Sequence, residues 1–99
     1  MSQTKLLTSR QLQKAIKPFA HLVLNGPKTR LVATFDFDEH VNALVFIAKI
    51  TVHAEVANHH PDIIFKHQKV KVTLYTHDAK GITKKDITLA KKIENFYQS

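Results

Sequence analysis

The stretch from about Glu39 to Asn58 constrains this chain more than any other part of it. Between Ala43 and Ala57 its only polar positions are Lys49, Thr51, His53 and Glu55. Twenty residues of this kind read as a helix rising about 30 Å, at about 1.5 Å per residue. Asp38 or Asp36 can cap its start. It must stop before Pro61, because the residue ahead of a proline disfavours helical backbone. A helix apolar on most of its circumference has more surface to bury than one sheet face can cover. Assembly into a homodimer or homotetramer is therefore expected. With 99 residues, 43% of them hydrophobic, the chain supports one core, and a single domain over 1–99 is expected.

The flanking segments say what this helix packs on. Thr8-Ser9-Arg10-Gln11 has the spacing of a capping box, followed by Leu12 and Ile16 before Pro18, which predicts a short first helix. His21–Leu24 and Leu31–Phe37 flank the turn cluster Asn25-Gly26-Pro27-Lys28 and read as a hairpin. In the second run Ala33, Phe35 and Phe37 share one side and Thr34 and Asp36 the other. Ile63–Phe65 and Val70–His77 read as a second hairpin around Lys66–Lys69, with Val70, Val72 and Leu74 on one side and Lys71, Thr73, Tyr75 and His77 on the other. Thr83-Lys84-Lys85-Asp86 opens a last helix whose apolar stripe runs through Ile87, Ala90, Ile93 and Phe96. The order αββαββα predicts an α+β two-layer sandwich, a four-stranded antiparallel sheet with three helices on one face.

Charge and cysteine usage narrow the chemistry. Without cysteine there is no disulfide framework, thiol nucleophile or thiolate metal site, so histidines and carboxylates must carry any reaction. The N-terminus has no apolar core of signal-peptide length, and a soluble, cytoplasmic protein with no membrane partner is expected. The net charge of +7, with Lys80, Lys84, Lys85, Lys91 and Lys92 around the last helix, raises the question of nucleic acid. The chain carries neither RNA-binding aromatic motifs nor a zinc finger. Lysines on the outer side of a helix usually serve solvation, so nucleic-acid binding is not expected.

Composition does not account for Glu55, His59, His60, Pro61 and His77. On a helix Glu55 and His59 would be i, i+4 neighbours, so the carboxylate would orient the imidazole. Exposed carbonyls at the helix end would favour the charged ring there. Pro61 turns the chain outward, allowing His59 and His60 to line one cleft. A histidine pair at a helix end is otherwise an ordinary solvated cap. Zinc would need a better spacing: no HxxxH occurs, and adjacent His59 and His60 suit one ion poorly, so no metal is expected. Asp86, at the third position of a helix capped by Thr83, is either a complement to the helix dipole or a supporting group of the cluster. His21, His40 and His53 are assigned to the surface or an interface.

Three stretches together resemble the pterin-4a-carbinolamine dehydratase family: Glu55-(three residues)-His59-His60-Pro61, Val70-(one)-Val72-Thr73-Leu74-Tyr75-Thr76-His77, and Gly81-Ile82-Thr83-(two)-Asp86-Ile87-(one)-Leu89-Ala90. Phe35–Ala43 resembles the family's aromatic strand running into its long helix. The resemblance implies a small α+β fold that assembles as dimers or tetramers. It also implies dehydration of a 4a-hydroxytetrahydropterin to the quinonoid dihydropterin, with no metal or redox cofactor. Carried over by position, His59 and His77 would be the acid/base groups and His60 a catalytic-site residue that mainly binds the pterin. Glu55, Pro61, Asp62, Phe65 and Thr76 would contact or frame the substrate, with Asp86 in support. Where the family usually carries an aromatic six positions after the proline and an asparagine two residues earlier, this chain has His67 and Phe65; it has no Trp. Because the family includes members that act by protein–protein association, the resemblance also admits a catalytically weak, coactivator-like or dimerisation module.

Overall fold

A computed structural model describes residues 5–25 and 30–98. The elements are α1 (Ser9–Ile16), β1 (Leu22–Asn25), β2 (Arg30–Asp36), α2 (His40–Ala57), β3 (Asp62–Lys66), β4 (Lys69–Leu74) and α3 (Lys84–Gln98). The order is αββαββα, as expected. All strand pairs are antiparallel and the sheet order is β1-β2-β4-β3, so the two hairpins join through their second strands. Asn25 pairs with Arg30 across the first hairpin; the predicted turn lies outside the described residues from Gly26 to Lys28.

Period-two patterning sets the buried face. Leu31 opposite Leu74, Ala33 opposite Val72 and Phe35 opposite Val70 fill the centre of the sheet, and all six are buried. The alternate residues Thr34, Asp36, Lys69 and Lys71 are exposed on the other face. Helix α1 is held by the predicted capping box: Gln11 N–H donates to Thr8 Oγ1 at 3.1 Å and Thr8 N–H donates to Gln11 Oε1 at 2.8 Å. It contributes Leu12 to the core.

Helix α2 lays Ala43, Phe46, Ile50 and Ala54 on the sheet, the three- and four-residue steps of one helical face. Its length and apolar composition would also suit a membrane span, but this inner face is part of the core around the sheet. The outer face bears exposed Val41, Leu44, Val45, Val52 and Val56. Its start differs from expectation. The N-cap is Glu39, whose side chain makes no capping bond, and neither Asp36 nor Asp38 serves. Asp36 instead accepts from Lys69 Nζ at 2.7 Å, and the Asp38 carbonyl accepts from Gln68 Nε2 at 2.7 Å. The Asp36 carboxylate is thus taken by its cross-strand neighbour Lys69, while Asp38 is tied to the second hairpin through its backbone carbonyl.

His21 also departs from its surface assignment. Its backbone N–H and its Nδ1 donate to the two carboxylate oxygens of buried Glu94, at 2.9 and 3.1 Å, while its ring packs on Phe35 and Tyr97. It fastens the entry to β1 onto α3. His40 packs on Phe65 and His53 on Phe96.

Candidate active site

Helix α2 ends because Asn58 adopts left-handed backbone, φ 51° and ψ 43°, a conformation asparagine tolerates better than most residues. Its N–H and that of His59 close back on the carbonyls of Glu55 and Ala54, at 3.1 and 3.0 Å. From His59 onward the chain no longer follows the helix. The i, i+4 relation to Glu55 is therefore never realised, which corrects the expectation for this pair. Glu55 instead accepts from His60 Nε2 at 2.8 Å, in an exposed hydrogen bond. His59 turns inward and donates from Nε2 to Asp86 Oδ1 at 2.6 Å.

Asp86 is fully buried, and both of its carboxyl oxygens are hydrogen-bonded. Its Oδ2 accepts from Thr76 Oγ1 at 2.7 Å and from the Thr83 backbone N–H at 2.9 Å. Thr76 and Thr83 hydroxyls lie 2.9 Å apart, and Thr83 Oγ1 accepts from the Lys85 N–H at 3.3 Å. These contacts admit one consistent arrangement of protons: Lys85 N–H to Thr83, Thr83 O–H to Thr76, Thr76 O–H to Asp86. Asp86 thus combines both sequence readings, closing back on its N-cap while fixing a histidine. The hairpin end supplies Thr76 through an isolated bridge to Gly81, with backbone bonds of 2.9 and 3.3 Å. That bridge brings the strand-end hydroxyl to the start of α3.

In front of this network lies a cleft of ≈ 330 Å³. The structure brings His59, His60, Asp62, Thr76 and His77 together in its walls, with Asn58, Tyr75, Asp78 and Lys85, which the sequence reading did not single out. Thr76 lines the wall while its hydroxyl donates to Asp86. Glu55 reaches the cleft only through His60, and Pro61 is not part of the wall. Phe65, expected at the substrate, lies elsewhere: it sits on the inner side of β3 against the His40 ring, 4.8 Å between centroids. Strand alternation sends it to the helix side of the sheet. The His77 ring stands edge-on to Tyr75 at 4.8 Å, and the Arg30 guanidinium lies 4.3 Å from the Tyr75 centroid. Only strand position could have hinted at Tyr75; Asn58, Asp78 and Lys85 meet the cleft through loop and helix placement that spacing does not encode. Among the described residues no group of three or more His, Asp and Glu is arranged to hold a metal ion.

Two imidazoles from separate elements around one cleft, one of them locked to a buried carboxylate, can exchange protons with a bound molecule from two directions. The family model for pterin 4 alpha carbinolamine dehydratase matches residues 5–96. The chain belongs to that family. It is 46% identical over 95 residues to a Herpetosiphon aurantiacus protein named "Putative pterin-4-alpha-carbinolamine dehydratase", covering 93% of this chain and 94% of that one. It is 38% identical over 86 residues to a Gloeobacter violaceus protein named "Putative pterin-4-alpha-carbinolamine dehydratase 2", covering 85% and 94%. Among solved structures, a transcriptional coactivator/pterin dehydratase from Brucella melitensis superposes with a TM-score of 0.88 at 27% identity, over 92% of this chain and 97% of that one. A pterin dehydratase-like protein identified as a RuBisCO assembly factor in the alpha-carboxysome shares the fold, with a TM-score of 0.70 at 18% identity over 82% and 94%.

Proposed function

We propose that this member of the pterin 4 alpha carbinolamine dehydratase family dehydrates a 4a-hydroxytetrahydropterin, as part of tetrahydropterin recycling. The observation that carries the reading is the His59–Asp86 bond at the wall of a cleft that also holds His60 and His77. In the reaction the N5 lone pair of the pterin expels hydroxide from C4a. A proton delivered to the departing oxygen makes it water, and loss of the N5 proton leaves the C4a=N5 bond of the quinonoid product. No electrons are exchanged with another molecule, so the step asks only for two proton transfers and a bound, oriented ring.

Asp86 holds His59 with its proton on Nε2, which leaves Nδ1 as the atom available to exchange a proton with the pterin. His77 comes from beyond the end of β4 and serves the second transfer, its ring set by Tyr75. His60 binds the pterin, steadied by Glu55. Positioned acid/base groups of this kind contribute roughly 10²–10⁴-fold. The test is a dehydration assay on enzymatically generated 4a-hydroxytetrahydropterin: acceleration abolished jointly by His59→Ala and His77→Ala supports the reading, and a rate equal to the uncatalysed one overturns it.

One observation favours a second property, association. Val41, Val45, Ala48, Val52 and Val56 follow one another at three- and four-residue steps along the outer side of α2, and Val56 is 83% exposed. Such a stripe, about 22 Å long at about 1.5 Å per residue, matches itself when two copies pack helix on helix. A homodimer or homotetramer built on α2 is part of this proposal. A role as a protein-binding module would use the same stripe and would show as a folded protein without dehydratase activity.

A further inference from the structure

Beside the catalytic cleft lies a second, smaller depression of ≈ 230 Å³ between the end of α2 and α3. Ala57, His59, Lys85, Thr88, Leu89 and Lys92 line it. Lys85, Thr88, Leu89 and Lys92 stand at i, i+3, i+4 and i+7 of α3, one stripe of the helix. Buried Leu89 contributes the apolar side and the two lysines the charge. His59 and Lys85 line both depressions, so the groove adjoins the cleft across these two side chains. No carboxylate lines the groove, and among the described residues neither Lys85 nor Lys92 takes part in an ion pair. Nearby Asp86 is buried behind His59, and Glu55 is engaged with His60. Asp62 and Asp78 line the cleft and not the groove.

This division of charge matches the two ends of a pterin. The pyrimidine end presents N–H donors, the 2-amino group and N3–H, which carboxylates accept. C6, which bears the variable substituent, lies at the far end of the bicycle, with C4a between them. A pterin with its amino edge toward Asp62 and Asp78, which line the cleft alone, and C4a by the histidines would have its C6 end turned from the two carboxylates, and the lysine nearest the cleft is Lys85, which lines both depressions. We propose that the substrate is a pterin whose C6 substituent ends in an anionic group, a phosphate monoester or a carboxylate, which Lys85 and Lys92 bind in the groove. The proposal rests on the pterin dehydratase reading of the cleft and adds the class of pterin.

The test is a fluorescence titration of the full chain, which has no Trp, with three fluorescent pterins: neopterin, neopterin 3′-monophosphate and folic acid. At low salt the monophosphate, folic acid or both should bind about ten-fold more tightly than neopterin, as charge-assisted contacts to lysine would give. Which of the two gains identifies phosphate or carboxylate as the anion. Lys92→Gln alters a residue of the groove alone and should erase most of that preference while neopterin binding stays within about two-fold. Equal affinity for all three ligands, or a preference untouched by Lys92→Gln, overturns the anionic-substituent proposal and leaves the dehydratase reading standing. Failure of every pterin to bind overturns both.

Discussion

His59 donates to Asp86 at 2.6 Å across 27 residues of sequence, from just past the left-handed end of one helix to the first turn of another. In the proposed mechanism this bond joins catalysis to folding. Asp86 is the same residue whose other oxygen holds the Thr83 N–H at the N-terminus of α3 and the Thr76 hydroxyl at the end of the second hairpin. A change at Asp86 therefore reaches the tautomer of a histidine and the junction of three elements together.

Asp86→Asn should separate these effects from mere loss of fold. The amide keeps the shape but sets a donor against either Thr83 N–H and Thr76 O–H or His59 Nε2–H. We expect kcat to fall about ten-fold or more with KM within a few-fold, and stability to drop by about 1–3 kcal/mol. Asp86→Ala, which leaves the buried Thr76 hydroxyl and Thr83 N–H and the part-buried His59 without their partner, should cost about 3–5 kcal/mol. Urea denaturation and steady-state kinetics read the two; unchanged turnover in a folded Asp86→Asn protein would contradict the role given to the bond.

The three histidines should divide by kinetic parameter. His59→Ala and His77→Ala should each lower kcat about ten-fold or more, whereas His60→Ala should act mainly through KM. His53→Ala, outside the cleft and in contact with Phe96, is the control and should turn over like the parent. Equal losses in the control and in His59→Ala, with both proteins folded by circular dichroism, would remove the site from this cleft.

Glu55 distinguishes a helical pairing from the one observed. Its partner His60 and its own side chain are 51% and 71% exposed, so Glu55→Ala should change stability by under about 1 kcal/mol. Its kinetic effect should follow His60 and appear in KM. A fall in kcat comparable to that of His59→Ala would show that Glu55 acts on His59 after all.

Tyr75 should act through the orientation of His77. Tyr75→Phe preserves the edge-on ring contact and the face under Arg30, and should retain kcat within about two-fold. Tyr75→Leu removes both and should lower kcat several-fold, with the Phe variant as its rescue. Identical kinetics for the Leu and Phe variants would mean that the aromatic ring has no positioning role.

Sedimentation tests the outer stripe of α2. The parent should sediment at two or four times 11.3 kDa at micromolar concentration, and Val52→Glu should shift it toward the monomer. Val52 is 59% exposed, so the substitution has no cavity to create within one copy. A parent mass of 11.3 kDa would leave the stripe without a second copy as its partner.

Local physics made most of the fold legible. The three-residue spacing of Thr8 and Gln11 specifies a helix start without help from the rest of the chain, and the capping box forms as read. Alternation in Leu31–Phe35 and Val70–Leu74 depends on a two-residue period that any sheet must respect, and it correctly assigns the buried face. The paired histidines and His77 stood out in the sequence as a candidate cluster, and the fold brings all three to the walls of one cleft.

What the tertiary structure decided are the relationships that join distant segments. Asp36 could cap a helix or bind Lys69, and sheet register, absent from local spacing, settled it in favour of Lys69. Glu55 and His59 stand at the distance a helix would bridge. One left-handed residue, Asn58, breaks that helix, and the nearest buried carboxylate then belongs to α3. Sequence periodicity reports the rotation of a side chain about its own element. The partner it meets depends on how elements dock, through long-range contacts in which a few ångströms decide between two equally well-formed hydrogen bonds.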